Sequence, residues 1–244
     1  MMVIPAIDLL EGQAVRLLQG DPRRKSVFSE DPVEVARGWF RLGAQRIHVV
    51  DLDGSWAGFP RNKGLIQAMV SAVPIPIQLG GGIRDLEIAR SYLDAGVERI
   101  VLGTVAVERP ELVKRACELW PGRVVVAIDS RGGSVTVRGW TESTSVQAVE
   151  LALSLQEVGV AAFIHTDVER DGTRRGINLG EVLKLARAVR VPVIASGGVG
   201  SLEDIRKLAQ VADGCGIEGV IVGRALYDGS LDLKQAMEVA RERF

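Results

Sequence analysis

Two apolar runs in this chain end on the same acid. In "VIPAID" an Ala-Ile pair delivers Asp8, and in "VVVAID" an identical pair delivers Asp129, 129 − 8 = 121 residues further along a chain of 244. Two carboxyl groups brought to one place can divide acid–base work, the ionised one removing a proton and the protonated one supplying it. Their surroundings must then push the two pKa values apart. A lone acid at a strand end serves equally well as a cap for the next loop. The repeated phrase is what carries the chemical reading.

A second set of residues suits anions. Gly80-Gly81-Gly82 and Gly197-Gly198 each close an apolar run, and "LGT" (Leu102–Thr104) and "VGR" (Val222–Arg224) close two others. Glycine at a strand end lets backbone N–H groups approach a phosphate with no Cβ in the way. The N-terminus of a following helix adds partial positive charge. Candidate phosphate ligands are Gly81, Gly82, Gly103 and Thr104 in one group and Gly197, Gly198 and Gly223 in the other. Arg84 and Arg224 are candidate side-chain contributors. A substrate with a phosphate at each end is the ligand implied.

Such groups need a scaffold. Strands are expected near Val3–Asp8, Arg46–Asp51, Ile75–Leu79, Arg99–Gly103, Val124–Asp129, Ala161–Thr166, Val191–Ser196 and Gly219–Gly223. Most are near-continuous apolar runs, as befits strands covered on both faces in a parallel sheet. Helical patterns separate them. One has Asp31 as N-cap, Pro32 at the first helical position and Gly43 as its stop. Another begins after Arg84 and stops at Gly96; a third offers Ser201 and Asp204 as a capping box. Others are expected at Asn62–Ala72, Pro110–Leu119, Ser145–Val158, Leu179–Val189 and Leu231–Arg243. Eight strands alternating with eight helices define an α/β fold, the (β/α)8 TIM barrel. An open doubly wound sheet is the alternative, but the GxGxxG expected after its first strand is missing. The stretch "GDPRRKSVFSEDP" is most simply a mobile, solvated loop that could also fold over an anionic ligand.

The phrase around the two acids belongs to a longer repeat. "GGIRDLE" from Gly81 matches "GGVGSLE" from Gly197, and "HVVD" ending at Asp51 matches "IHTD" ending at Asp167, both at an offset of 197 − 81 = 167 − 51 = 116. "GVERIVLGT" from Gly96 matches "GIEGVIVGR" from Gly216, an offset of 216 − 96 = 120. Matches in one order at nearly one spacing argue for a single barrel over 1–244 with an internal twofold repeat, the half-barrels covering about 1–122 and 123–244. Strands one and five then face each other, and so do Asp8 and Asp129, at the strand ends where barrel enzymes carry their chemistry.

Composition sets the frame. A net charge of −1 offers no global basic field for nucleic acid. Two cysteines, Cys117 in a helical pattern and Cys215 in a loop, make no disulfide framework. With two histidines, His48 and His165, and no CxxC or HExxH, no metal site is expected. There is no signal-peptide pattern and no apolar run of membrane-spanning length. A cytoplasmic protein without a membrane partner fits these features.

"IPAIDLLEGQAVRLLQGD", "HVVDLDGSWAG", "QLGGGIRD", "VLGTVAV", "AIDSRGGSVTVRGW", "TDVERDGT", "IASGGVGS" and "IVGRALY" together resemble the phosphoribosylformimino-aminoimidazole-carboxamide ribotide isomerases of histidine biosynthesis, from Met2 to about Tyr227. The sibling cyclase family of imidazole glycerol phosphate synthase carries "PCLD" where this chain has "PAID", so Ala6 and "RGW" at Arg138–Trp140 favour the isomerases. The resemblance implies an Amadori rearrangement, aminoaldose to aminoketose, on a bisphosphorylated ribotide, by a monomer without cofactor. It implies Asp8 as general base, Asp129 as general acid, and Thr166 and Asp171 assisting. Trp140 would stack on the aminoimidazole, and Arg16, His48 and Asp51 would contact the reacting ribose. From the residues alone, His48 suits a structural hydrogen bond inside the barrel as well as a ligand contact, Trp140 could merely pack its loop, and Arg16 could be a surface charge. His165 should point away, towards the helices. Alternatives are an isomerase that also takes phosphoribosyl anthranilate, of tryptophan biosynthesis, and a silent barrel that only binds a phosphometabolite.

Overall fold

The eight apolar runs become eight parallel strands joined edge to edge. The computed structural model describes residues 1–242. The strands are β1 (Met2–Leu10), β2 (Ile47–Asp51), β3 (Ile77–Gly80), β4 (Arg99–Leu102), β5 (Val124–Arg131), β6 (Ala162–Asp167), β7 (Val193–Ser196) and β8 (Ile217–Val222). Each pairs in parallel with the next, and β8 returns to pair with β1, so the sheet closes into a barrel with no free edge. Helices cover it, as in a (β/α)8 barrel.

Alternation along each strand sorts the side chains. On β1, Ile7 and Leu9 face the helices and join the main core, while Ile4 and Ala6 fill the barrel interior with Val101, Val125, Ile164 and Ile194. On β5, Val126 and Ile128 face out, and Val125 and Ala127 face in. Period two therefore turns Asp8 and Asp129 inward at the C-terminal ends of their strands. Thr166 follows Ile164 inward on β6, and His165 faces out and bonds Ser130 Oγ at 3.0 Å.

The helix ends follow local chemistry. Asp31 accepts from the backbone of Val33 and Glu34 ahead of the helix Pro32–Arg41. Ser201 and Asp204 form the reciprocal capping box of Leu202–Cys215, a helix whose last residue is the cysteine expected in a loop and which stops at Gly216 in the left-handed region. The expected helix Leu231–Arg243 is observed as Leu233–Val239; Arg243 lies outside the described residues.

Two regions differ from expectation. Asp21–Ser29, expected as a mobile loop, is a strand paired antiparallel with Gln13–Leu18, which itself pairs with the end of β1. After β5, Ser134–Val137 pairs with Glu142–Gln147, so the helix expected from Ser145 begins at Ala148 and runs to Leu155. The cause is turn chemistry. Glu11-Gly12, Gln19-Gly20 and Gly132-Gly133 all hold positive φ at both positions. Each connects two strands through a two-residue loop, the geometry whose twist matches paired strands. These excursions lift Arg16 and Trp140 over the barrel mouth. Short helices Leu52–Ala57, Thr104–Glu108 and Arg224–Tyr227 were also absent from the sequence pattern.

Candidate active site

A cavity opens at the C-terminal end of the barrel. Asp8, Arg16, His48, Asp129, Trp140, Thr166 and Asp171 all line it. So do all the glycine-corner candidates: Gly81, Gly82, Arg84, Gly103 and Thr104 on one side, and Gly197, Gly198, Gly223 and Arg224 on the other.

Asp8 is held by a cation. Arg16 Nη1 donates to Asp8 Oδ2 at 2.7 Å, and Nη2 donates to the Ala6 carbonyl at 2.7 Å. The guanidinium also lies over the Tyr227 ring, 5.5 Å from its centroid, a favourable cation–π arrangement. Burial pushes the Asp8 carboxyl above the ordinary carboxylate range, and Arg16 opposes that push.

Asp129 has neutral donors instead. Trp140 Nε1–H donates to its Oδ2 at 2.9 Å, and the Thr166 hydroxyl, in register with Asp129 on the next strand, donates as well. Desolvation raises this carboxyl too, and the two hydrogen bonds resist. Trp140 reaches it from a backbone wound left-handed at Arg138, Gly139 and Trp140. A third carboxyl completes the group: Asp171 is pushed up to about 7, chiefly by burial, with Arg16 opposing and the charges of Asp8 and Asp129 adding to the rise. The cavity thus holds one carboxyl beside a guanidinium, one among neutral donors, and one that keeps its proton to near neutrality.

The glycine corners match each other in backbone as well as sequence. Gly81 and Gly197 sit at φ +99° and +90°, and a Cβ on either would press into the carbonyl of Asp51 or Asp167 respectively. Gly103 and Gly223 adopt φ, ψ of −102°, −97° and −109°, −103°, each opening a short helix. Arg84 lines one side and donates to the Ser55 carbonyl at 3.4 Å. Arg224 lines the other and reaches the Gly172 carbonyl at 3.4 Å. Thr104 accepts from the Arg138 N–H at 2.8 Å through its hydroxyl.

Asp51 departs from expectation. It is fully buried and outside the cavity lining. Its carboxylate accepts from the N–H groups of Gly54, Arg61 and Asn62 and from the Asn62 amide, at 2.8–3.1 Å. It organises the loop after β2, as Asp167 does after β6 by accepting from Glu169 N–H and the Asn178 amide. Two residues escaped the sequence reading. Tyr227, whose hydroxyl donates to the Ala6 carbonyl at 3.0 Å, gave no signal. Gln78, a lone polar side chain in the apolar strand "IQLG", did. Among the described residues no group of three or more His, Cys, Asp or Glu side chains gathers as a metal site, and no helix is long and apolar enough to cross a membrane.

Fold and site define a (β/α)8-barrel protein with an acid-lined cavity at the C-terminal mouth. The chain belongs to the family described as histidine biosynthesis protein, whose profile matches residues 2–232. Curated relatives are named as isomerases of a 1-(5-phosphoribosyl) imidazole-4-carboxamide bearing a (5-phosphoribosylamino)methylideneamino group. The protein of Gloeothece citriformis is 54% identical over 98% of this chain and 92% of its own length. That of Syntrophotalea carbinolica is 52% identical over 99% of each, and that of Geotalea uraniireducens 51% identical over 99% and 98%.

Proposed function

We propose that this chain is the ribotide isomerase of histidine biosynthesis, converting the aminoaldose of a bisphosphorylated ribotide into the aminoketose. The observation that carries this reading is the convergence of Asp8 and Asp129 on one cavity flanked by two matched glycine corners. The names of the relatives fit the same chemistry.

Each phosphate is held by one corner, Gly81, Gly82, Gly103, Thr104 and Arg84 on one side and Gly197, Gly198, Gly223 and Arg224 on the other. The ribose is thereby stretched across the acids. Asp129, whose desolvated, cation-free surroundings favour the protonated form, gives its proton to the ribose ring oxygen as the C1–O bond breaks and a Schiff base forms. Asp8, whose ionised form Arg16 favours against the effect of burial, takes the proton from C2, and the resulting enaminol tautomerises to the ketone. Thr166 orients Asp129, and Asp171 serves as a nearby proton store. Trp140 offers its face to the aminoimidazole, while Arg16 and His48 hold ribose oxygens. These are acid–base steps that call for no metal or organic cofactor. By its resemblance to the family we read the protein as a monomer, and as cytoplasmic.

The test is turnover by the purified protein of the bisphosphorylated ribotide, with phosphoribosyl anthranilate assayed beside it. Conversion of the first with none of the second is expected. Tight binding of the ribotide without conversion would leave only a binding barrel.

A further inference from the structure

His48 on β2 and Gln78 on β3 are paired in register, and alternation turns both into the barrel, since Ile47, Val49, Ile77 and Leu79 all pack outward. The internal repeat supplies a control. At 48 + 116 = 164 and 78 + 116 = 194 stand Ile164 and Ile194, paired in the same register on β6 and β7. Both isoleucines are buried in the barrel interior. The architecture therefore closes with an apolar pair at these places. A polar pair on the other side is not something the fold requires.

That polar pair carries a cost. Gln78 is 0% exposed, and its Oε1 has no hydrogen-bond partner; an unsatisfied buried amide oxygen is destabilising. Its other end is committed. Gln78 Nε2 lies 3.0 Å from His48 Nδ1. An amide N–H only donates, so Nδ1 accepts, and the imidazole proton resides on Nε2. His48 is also neutral, because burial and the Arg16 charge push its pKa down to about 3. His48 lines the cavity beside Asp8, and Nε2 has no hydrogen-bond partner among the described residues while escaping full burial.

We infer that Gln78 is a positioning residue: it fixes His48 as the Nε2–H tautomer and so presents an N–H donor to an oxygen of the reacting ribose. A neutral donor suits this place. It can hold a hydroxyl that becomes a carbonyl without setting a second cation beside the Asp8–Arg16 pair, which would weaken the base. The role rests on the isomerase reading above. The reversed carboxamide would put Oε1 on an Nδ1–H and leave Nε2 an acceptor, so the tautomer decides the matter.

The experiment is nitrogen-15 NMR of the intact protein labelled at its two histidines, with the His48 signals assigned by His48→Asn. The expected result is a bare Nδ1 and a protonated Nε2 on His48, a preference lost in Gln78→Leu. Gln78→Leu should also lower kcat by about tenfold, the scale of one hydrogen bond, with KM little changed. The double variant His48→Ile/Gln78→Ile, which copies the opposite side of the barrel, should melt no lower than the wild type and lose no more turnover than His48→Ile alone. A proton on Nδ1 in the wild type, wild-type turnover in Gln78→Leu, or multiplying losses in the double variant would each overturn the assignment. A wild-type protein inactive on the ribotide would remove the isomerase reading instead, while the tautomer measurement would still judge Gln78.

Discussion

Arg16 Nη1 stands 2.7 Å from Asp8 Oδ2, with the two side chains only 10% and 15% exposed. A residue of the first hairpin excursion thereby favours the ionised form of a residue at the end of a barrel strand, against the effect of burial. Removing one member of a shielded ion pair leaves the other unpaired, at a cost of about 3–5 kcal/mol when burial is complete. Arg16→Met should therefore lower the melting temperature. It should also raise the Asp8 pKa, because the guanidinium favours the ionised form, and so move the acidic limb of kcat/KM to higher pH. An unmoved limb would show that Arg16 does not govern the base.

Asp8→Asn and Asp129→Asn should each reduce turnover by about 10²–10⁴-fold, the range of a lost general acid or base. Ribotide affinity measured by calorimetry should stay close to that of the wild type, because the glycine corners are untouched. Near-normal turnover in either variant would refute the division of labour.

Asp171 gives the protein a signature in its stability. Its folded pKa is about 7, above the ordinary value near 3.8, so between those pH values the folded state binds more protons than the unfolded one. Stability from this group is then complete below about pH 4 and is lost as pH rises through 7. Asp171→Asn, which mimics the protonated acid, should match the wild type near pH 4 and melt higher than it at pH 8. Each kcal/mol is worth about 2–4 °C in a chain of this size. Parallel melting curves at the two pH values would refute the shift.

The glycine corners should fail separately. A Cβ at Gly82 would stand 2.8 Å from the Gly54 carbonyl oxygen, at φ +69°, and one at Gly198 would press on the Gly176 carbonyl at φ +90°. Gly82→Ala and Gly198→Ala should each destabilise the fold by about 1 kcal/mol or more, since an L side chain is strained there. Titration with inorganic phosphate should find two sites in the wild type and one in each variant. Loss of both sites together would mean that the corners are not independent anchors.

Much of this was legible before any coordinates. The eight strands announce themselves as apolar runs with a parity, and parity alone turns Asp8, Asp129 and Thr166 inward and His165 outward. The N-caps Asp31 and Ser201 are readable because capping is settled within four residues. Signals for the hairpins were present too, as Glu11-Gly12, Gln19-Gly20 and Gly132-Gly133, each between β-rich runs. They were hidden by the polar character of "DPRRKSVFS", whose strand conformation comes from its partner Gln13–Leu18 and not from an apolar face of its own.

By itself the chain's pattern determined the barrel, the register of acids along its strands and the places of the glycines, because periodicity, capping and turn chemistry act between near neighbours. Tertiary structure alone decided which polar groups meet. Asp51 and Asp8 both end apolar strands, yet one is spent on the backbone of its own loop and the other is aimed at Arg16. Trp140 on Asp129 and Gln78 on His48 likewise join groups separated along the chain. A hydrogen bond forms only within about 3 Å, and the closure of the sheet, with loops folded across its mouth, brings these partners that close.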